Sequence, residues 1–230
     1  MNRNFSLPNI VTVSRIGLLF VLVMLVYGHS VGARLLAALF AVLVIVGDWL
    51  DGHLARRLNQ ATALGSVLDI AADRIIENVM WIILADINLV PVWIPVVFIS
   101  RGILTDSIRN YTLRFGYSGF GEQSMMKSAI GKFLTGLPLM RTPFAVLKAF
   151  TFGWLLLLAV ADEIPIVRET FSPALLATGL RIGYWTAVAS AVMSIARGIP
   201  VIIEGIALIN RLDNTSTDDT ATNTDDSQSS

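Results

Sequence analysis

Six long runs of apolar residues alternate with short polar breaks along this 230-residue chain. They cover roughly 8–28, 34–57, 65–86, 91–114, 127–161 and 173–208. A helix needs about 20 mostly apolar residues to cross ~30 Å of hydrocarbon, so every run is long enough. The breaks, among them "YGHSVG", "LNQAT", "DINLVP" and "FGYSGFGEQ", carry turn chemistry. The fifth run is too long for one simple span and holds Pro138 and Pro143. Proline removes a helical donor and crowds the preceding turn, so a kink or split is predicted there. The pattern predicts an all-α integral membrane protein with six transmembrane helices. No internal repeat is visible.

Composition agrees with that class: 54% of residues are hydrophobic and 15% charged, against about 45–50% and 25% in soluble domains. With no cysteine, disulfides, thiolate metal sites and cysteine nucleophiles are excluded. The formal net charge is zero, but five of the 17 acids lie in 213–230, which has no base. Residues 1–212 therefore carry 17 bases against 12 acids, a balance that suits anionic headgroups or phosphorylated substrates. No nucleic-acid partner is expected. Pro8, Asn9 and Arg15 interrupt the first apolar run, so it is expected to stay as a span rather than be cleaved. An even number of spans puts both termini on one side. Arg3, Arg56, Arg57, Arg114, Lys127, Lys132 and Arg211 fall near that side, and the positive-inside rule makes it cytoplasmic. Two regions are expected: a membrane domain over 1–212 and a disordered acidic tail over 213–230.

Against this background the stretch "DWLDGHLARRLNQATALGSVLDIAAD", Asp48 to Asp73, stands out for its four aspartates. One aspartate at a helix centre costs about 2.5–3.5 kcal/mol on insertion scales, so these acids must lie near an interface, line a watery cavity, or be neutralised. Asp48 and Asp51 share a face of the second helix; Asp69 and Asp73 share a face of the third, about 6 Å apart along its axis. The short link "LNQAT" makes the two helices antiparallel, so their acidic faces can converge near the cytoplasmic end. Converging carboxylates suit a hard divalent ion such as Mg²⁺ or Mn²⁺, which often shares its shell with substrate phosphates. Gly52 and Gly65 leave the helix surface bare for a phosphate or nucleotide, and Arg56 offers a planar fork for phosphate oxygens.

The residues Asp48, Asp51, Gly52, Ala55, Arg56, Gly65, Asp69 and Asp73 fit D-x2-D-G-x2-A-R-x8-G-x3-D-x3-D at every fixed position. This resembles the signature of the CDP-alcohol phosphatidyltransferases. The resemblance implies transfer of a phosphatidyl group from a CDP-linked lipid, CDP-diacylglycerol, to an alcohol, with release of CMP. It implies that Asp48, Asp51, Asp69 and Asp73 hold divalent metal, that Gly52, Arg56, Thr62 and Gly65 bind the CDP-lipid, and that Asp73 is the general base. It also implies a homodimer, and an active site facing the cytoplasm from the cell (inner) membrane. The opening "LPNIVTVSRIGLL" resembles the start of the phosphatidylglycerophosphate synthases of this family, which places Asn9, Thr12 and Arg15 close to the nucleotide.

The acceptor alcohol is the less determined half. Arg101 and Arg109 lie eight residues apart on the fourth helix, and Lys127 and Lys132 open the fifth run. Such cations suit an acceptor that carries a phosphate, with glycerol 3-phosphate first. The glycerophosphate-using branch is expected to read "ARE" and "GKxKT"; here Gly102 and Leu134 replace the acid and the second lysine. Inositol phosphate or another alcohol is the alternative acceptor. Charges at membrane ends also serve as topological anchors. Arg74 and Glu77 are spaced for a helical ion pair, and Arg197 and Glu204 read as interfacial. A small-residue stripe, Gly179, Gly183, Ala187 and Ala191, permits close helix packing, either within the bundle or between copies. From other classes, an ion-coupled transporter would also use buried acids, and a non-catalytic scaffold would keep the fold. The fixed glycines and arginine fit a metal–nucleotide site better than an ion path.

Overall fold

A computed structural model describes residues 7–28, 30–57, 63–117, 124–136, 138–161, 164, 169–170 and 172–226, several stretches, chiefly 45–57 and 215–226, by backbone alone. The described elements are helical: α1 Leu7–Val26, α2 Val31–Arg57, α3 Ala63–Asp86, α4 Trp93–Leu113, α5 Ala129–Gly131, α6 Pro138–Ala161 and α7 Pro173–Asp226. The six apolar runs thus reappear as helices with nearly the expected bounds. The long fifth run is split as its prolines predict. Short α5 leads into a π-helical turn, Lys132–Gly136, and α6 starts at Pro138, where a missing N–H costs nothing in a first turn.

The expected span count is met in part. Among the described residues, three helices are long and apolar enough to cross a membrane, with segments Asn9–Val26, Thr142–Ala161 and Pro173–Leu212. In α2 the described side chains give an apolar stretch over Val31–Val44. Charges interrupt α3 (Asp69, Asp73, Arg74, Glu77) and α4 (Arg101, Asp106, Arg109). By backbone, α7 is drawn as far as Asp226.

The chain forms two compact units, one of 1–96 with 146–190 and one of 97–145 with 191–230. In the first, α1 packs on α2 and α3. The buried stripe of α1 is Asn9, Thr12, Arg15, Leu19, Leu22 and Val26, at helical spacing. Its outer face carries Ile10, Val13, Phe20 (63% exposed) and Met24 (77% exposed). Polar groups inside and large apolar groups outside are the reverse of a water-facing helix, and this is stable where the solvent is lipid. The α1–α2 turn is tight: a Cβ on Gly28 would sit 2.6 Å from that of Ala33. At the far ends of α1 and α3, the Tyr27 hydroxyl donates to Asp86 at 2.6 Å.

On α3, Met80, Trp81 and Leu84 are buried, and Trp81 meets Phe152 of α6 edge-on at 4.6 Å. The small residues of α7 are used inside this unit. Trp154 Nε1 donates to the Gly179 carbonyl at 2.9 Å, and a Cβ on Gly183 would meet Leu155 Cδ2 at 2.3 Å. Close approach of helix backbones through small residues is a common way to gain dispersion contact in membranes.

In the second unit, Met125, Met126, Val201 and Leu208 form a core with Ile108, Tyr117 and Leu212 against it. Gly205 makes room for Ile108 and Met125. The buried hydroxyls of Thr105 and Thr112 donate to carbonyls of their own helix, Arg101 and Arg109 respectively, so neither leaves an unsatisfied donor.

Gly183→Val should destabilise the detergent-solubilised protein by about 1–3 kcal/mol through overpacking. Gly17→Ala, where no atom lies within 4 Å of the added carbon, should leave the melting temperature unchanged or slightly raised. Paired thermal melts check both; equal effects would contradict the packing assigned to α6 and α7.

Candidate active site

The aspartate motif lies where α2 ends and α3 begins, within the first unit. Asp48, Asp51, Gly52 and Arg56 belong to the last turns of α2, by backbone. Thr62 lies outside the described residues, as do the side chains of Asp48, Asp51 and Arg56. Gly65, Asp69 and Asp73 occupy the first three turns of α3. The carboxylates of Asp69 and Asp73 are 49% and 51% exposed.

What ties these parts together is Arg15, 3% exposed in the middle of α1. Its Nη2 donates to Asp73 Oδ1 at 3.2 Å, and its Nη1 lies 3.9 Å from Asp69 Oδ1. Its Nε donates to the Val44 carbonyl of α2 at 3.3 Å. Val44 is one helical turn before Asp48, so one guanidinium holds the α2 backbone beside the acids of α3. That contact links the α2 backbone at Val44 to Asp73 of α3. Two carboxylates a helical turn apart repel by roughly 1–3 kcal/mol at surface-like dielectric. A shared buried cation offsets that repulsion.

The donor set fits a hard divalent cation. It is carboxylate oxygen, in a half-open position, with no cysteine in the chain. Asp69 and Asp73 are the two described residues that would hold it, and the backbone places Asp48 and Asp51 on the adjoining helix end. Asn9 and Thr12, each 4% exposed, precede Arg15 at intervals of three on the same buried stripe. The structure therefore joins the opening segment to the acid motif. The sequence reading placed Arg15 close to the nucleotide and missed its bond to the acids. The signal was available: a lone arginine in a 20-residue apolar helix, in register with Asn9 and Thr12.

One turn beyond Asp73, Glu77 takes a 3.3 Å contact from Arg74, as the spacing predicted, and an ion pair from Lys148 of α6. Lys148 was missed, although a single lysine in "FAVLKAF" is as conspicuous as Arg15. Both groups are largely buried, and pairing removes the cost of two isolated charges in an apolar bundle.

The four acceptor candidates fall in the second unit. Arg101 and Arg109 are half-buried; Lys127 and Lys132 are exposed. Arg101 lies flat on Gly198 of α7, whose added Cβ would meet Arg101 Cγ at 2.7 Å. The neighbouring residue, Arg197, donates from Nη1 to the Met140 carbonyl at 2.7 Å and stacks over Phe144 at 5.2 Å. Arg197 is therefore half-buried against α6 and joins Arg101 as a cation of this unit. Glu204 is also engaged. It accepts from the Lys127 and Ser128 backbone N–H groups and from the Ser128 hydroxyl. Ser128 in turn accepts from the Gly131 N–H at 2.9 Å, capping α5. Glu204 thus fixes the segment that carries both lysines. Gly102 is buried and Leu134 half-buried.

With this geometry in place, comparison with known proteins defines the class. The CDP-alcohol phosphatidyltransferase family matches residues 5–165, and the chain belongs to that family. A Bacillus subtilis protein named CDP-diacylglycerol–glycerol-3-phosphate 3-phosphatidyltransferase is 36% identical over 117 residues, 46% of this chain and 61% of that protein. A Pectobacterium atrosepticum protein of the same name is 34% identical over 139 residues, 59% of this chain and 74% of its own length. A Mycobacterium tuberculosis protein provisionally named a cardiolipin synthase is 32% identical over 139 residues, covering 60% and 65%. The chain thus spans about three fifths of the Bacillus protein.

Glu204→Ala should speed hydrogen exchange at the Lys127 and Ser128 amides by at least about 10-fold, since bonds to a charged acceptor contribute roughly 1.5–3 kcal/mol. Unchanged exchange at those two amides would contradict the capping role.

Proposed function

We propose that the protein transfers the phosphatidyl group of CDP-diacylglycerol to glycerol 3-phosphate and releases CMP, at a site on the cytoplasmic side of the cell (inner) membrane. The observation that carries this reading is the Arg15 junction. It draws Asp69 and Asp73 to the helix end that bears Asp48 and Asp51, in a chain of this family. Six membrane-crossing helices, cytoplasmic termini and assembly as a homodimer complete the proposal. They rest on the hydropathy pattern and on the resemblance.

In the reaction, the acceptor hydroxyl oxygen bonds to the phosphorus of the phosphatidyl group. The phosphoanhydride P–O bond breaks, and CMP leaves with the bonding pair. The hydroxyl proton passes to a carboxylate, and Asp73 is the residue assigned to take it. Bound Mg²⁺ or Mn²⁺, held by Asp48, Asp51, Asp69 and Asp73, would neutralise charge on the pyrophosphate and the leaving CMP. Gly52 and Gly65 allow the nucleotide to approach the helix backbone, with Arg56, Thr62, Asn9 and Thr12 beside it. Arg101, Arg109, Lys127 and Lys132 are assigned to the acceptor phosphate.

The mycobacterial relative supports a second acceptor. Phosphatidylglycerol, an alcohol that already carries a phosphate, would give a cardiolipin by the same transfer. The same cations suit either substrate, and Gly102 and Leu134 depart from the glycerol 3-phosphate pattern.

Purified protein with Mg²⁺, CDP-diacylglycerol and each acceptor in turn decides between them, with CMP release and the lipid product as readouts. Glycerol 3-phosphate should support release. Release with phosphatidylglycerol alone would move the assignment to the second acceptor, and none with any alcohol would overturn the enzyme reading. Asp73→Asn should lower turnover by about 10²–10⁴-fold, the usual worth of a positioned base, while CDP-lipid binding persists; normal turnover would remove Asp73 from that role. Chelation of divalent ions should abolish release, and excess Mg²⁺ or Mn²⁺ should restore it.

A further inference from the structure

We propose that Arg15 is a positioning residue for Asp69 and Asp73, setting the carboxylate geometry on which metal binding and the attack of the acceptor depend. This rests on the phosphatidyl-transfer reading above.

Three contacts from one guanidinium carry the proposal. Nε is directed to the Val44 carbonyl, Nη2 to Asp73 and Nη1 toward Asp69. A planar group held at a backbone carbonyl on one edge has its other edge fixed in direction, so the oxygens it holds are fixed as well. The burial is asymmetric. Arg15 is 3% exposed while both acids are about half exposed, so the cation supports them from within the bundle. A snorkelling anchor would end at the membrane surface; this side chain ends on a backbone carbonyl and two acids. Groups that bond to the ligands of a metal, rather than to the metal, typically change its affinity or the activity by 10–100-fold when altered.

Lysine separates positioning from charge. Arg15→Lys keeps the positive charge, so the electrostatic balance of the site is preserved, but a single ammonium cannot hold three acceptors in one plane. The test compares full-length wild type, Arg15→Lys and Arg15→Gln in detergent. Mn²⁺ affinity is measured by electron paramagnetic resonance, kcat and KM with CDP-diacylglycerol, and stability by thermal melts. Arg15→Lys is expected to melt within a few degrees of wild type. It should bind Mn²⁺ at least about 10-fold more weakly and lose about 10–100-fold in kcat, with KM for the CDP-lipid within about threefold. Arg15→Gln is expected to lose more in each.

Wild-type Mn²⁺ affinity and kcat in Arg15→Lys would overturn the proposal. So would a rise in KM alone, which marks a substrate contact. A melting temperature that collapses in both variants in step with activity marks a purely structural role and also overturns it. If wild type binds Mn²⁺ but releases no CMP, the transfer reading fails, and the Mn²⁺ comparison still decides the role of Arg15. If wild type binds no Mn²⁺, both fail.

Discussion

One buried guanidinium organises this site. Arg15 rises from an apolar helix and meets a carbonyl of α2 and two carboxylates of α3. It places a positive charge between two carboxylates one helical turn apart. With it, the cost of a cation in the bundle and the cost of adjacent anions cancel in part. The same contact sets the register of α1 against the ends of α2 and α3, where the motif resides.

The first unit repeats this logic. Glu77 sits between Arg74 and Lys148, and Trp154 bonds to the Gly179 carbonyl. Inner polar groups are paired, while the outer face of α1 is large and apolar. In lipid there is no aqueous gain from burying leucine against leucine, so small residues and paired polar groups carry the packing. Gly179 and Gly183 are used for this purpose against α6. They are engaged within the chain, which leaves the resemblance as the basis for a dimer. The second unit works similarly through Glu204, whose carboxylate holds the Lys127–Ser128 backbone, and through Gly198, which seats Arg101.

Much of this was legible before any coordinates. Apolar run length gave six helices to within a few residues at most ends, because chain stiffness and bilayer thickness act locally. The Pro138 break and the Arg74–Glu77 pair followed from local rules as well. The four aspartates were legible because a charge in an apolar run needs a reason. What sequence could not supply was partnership across the chain. Arg15 with Asp73, separated by 58 residues, and Lys148 with Glu77, separated by 71, depend on which helix faces come together. The bonds of Arg197 to Met140 and of Glu204 to Ser128 escaped the sequence for the same reason. Periodicity gives a face, but its neighbour is set by tertiary packing.

The central claim is that Asp48, Asp51, Asp69 and Asp73 form one divalent-metal site, assembled by Arg15 at the junction of α1, α2 and α3. Anomalous diffraction from crystals of the full chain grown with Mn²⁺ and a CDP-lipid tests it most directly. The account predicts manganese peaks within about 2.5 Å of carboxylate oxygens from both α2 and α3, with the Arg15 guanidinium still on Asp73. Manganese bound elsewhere, or by acids of one helix only, would contradict it.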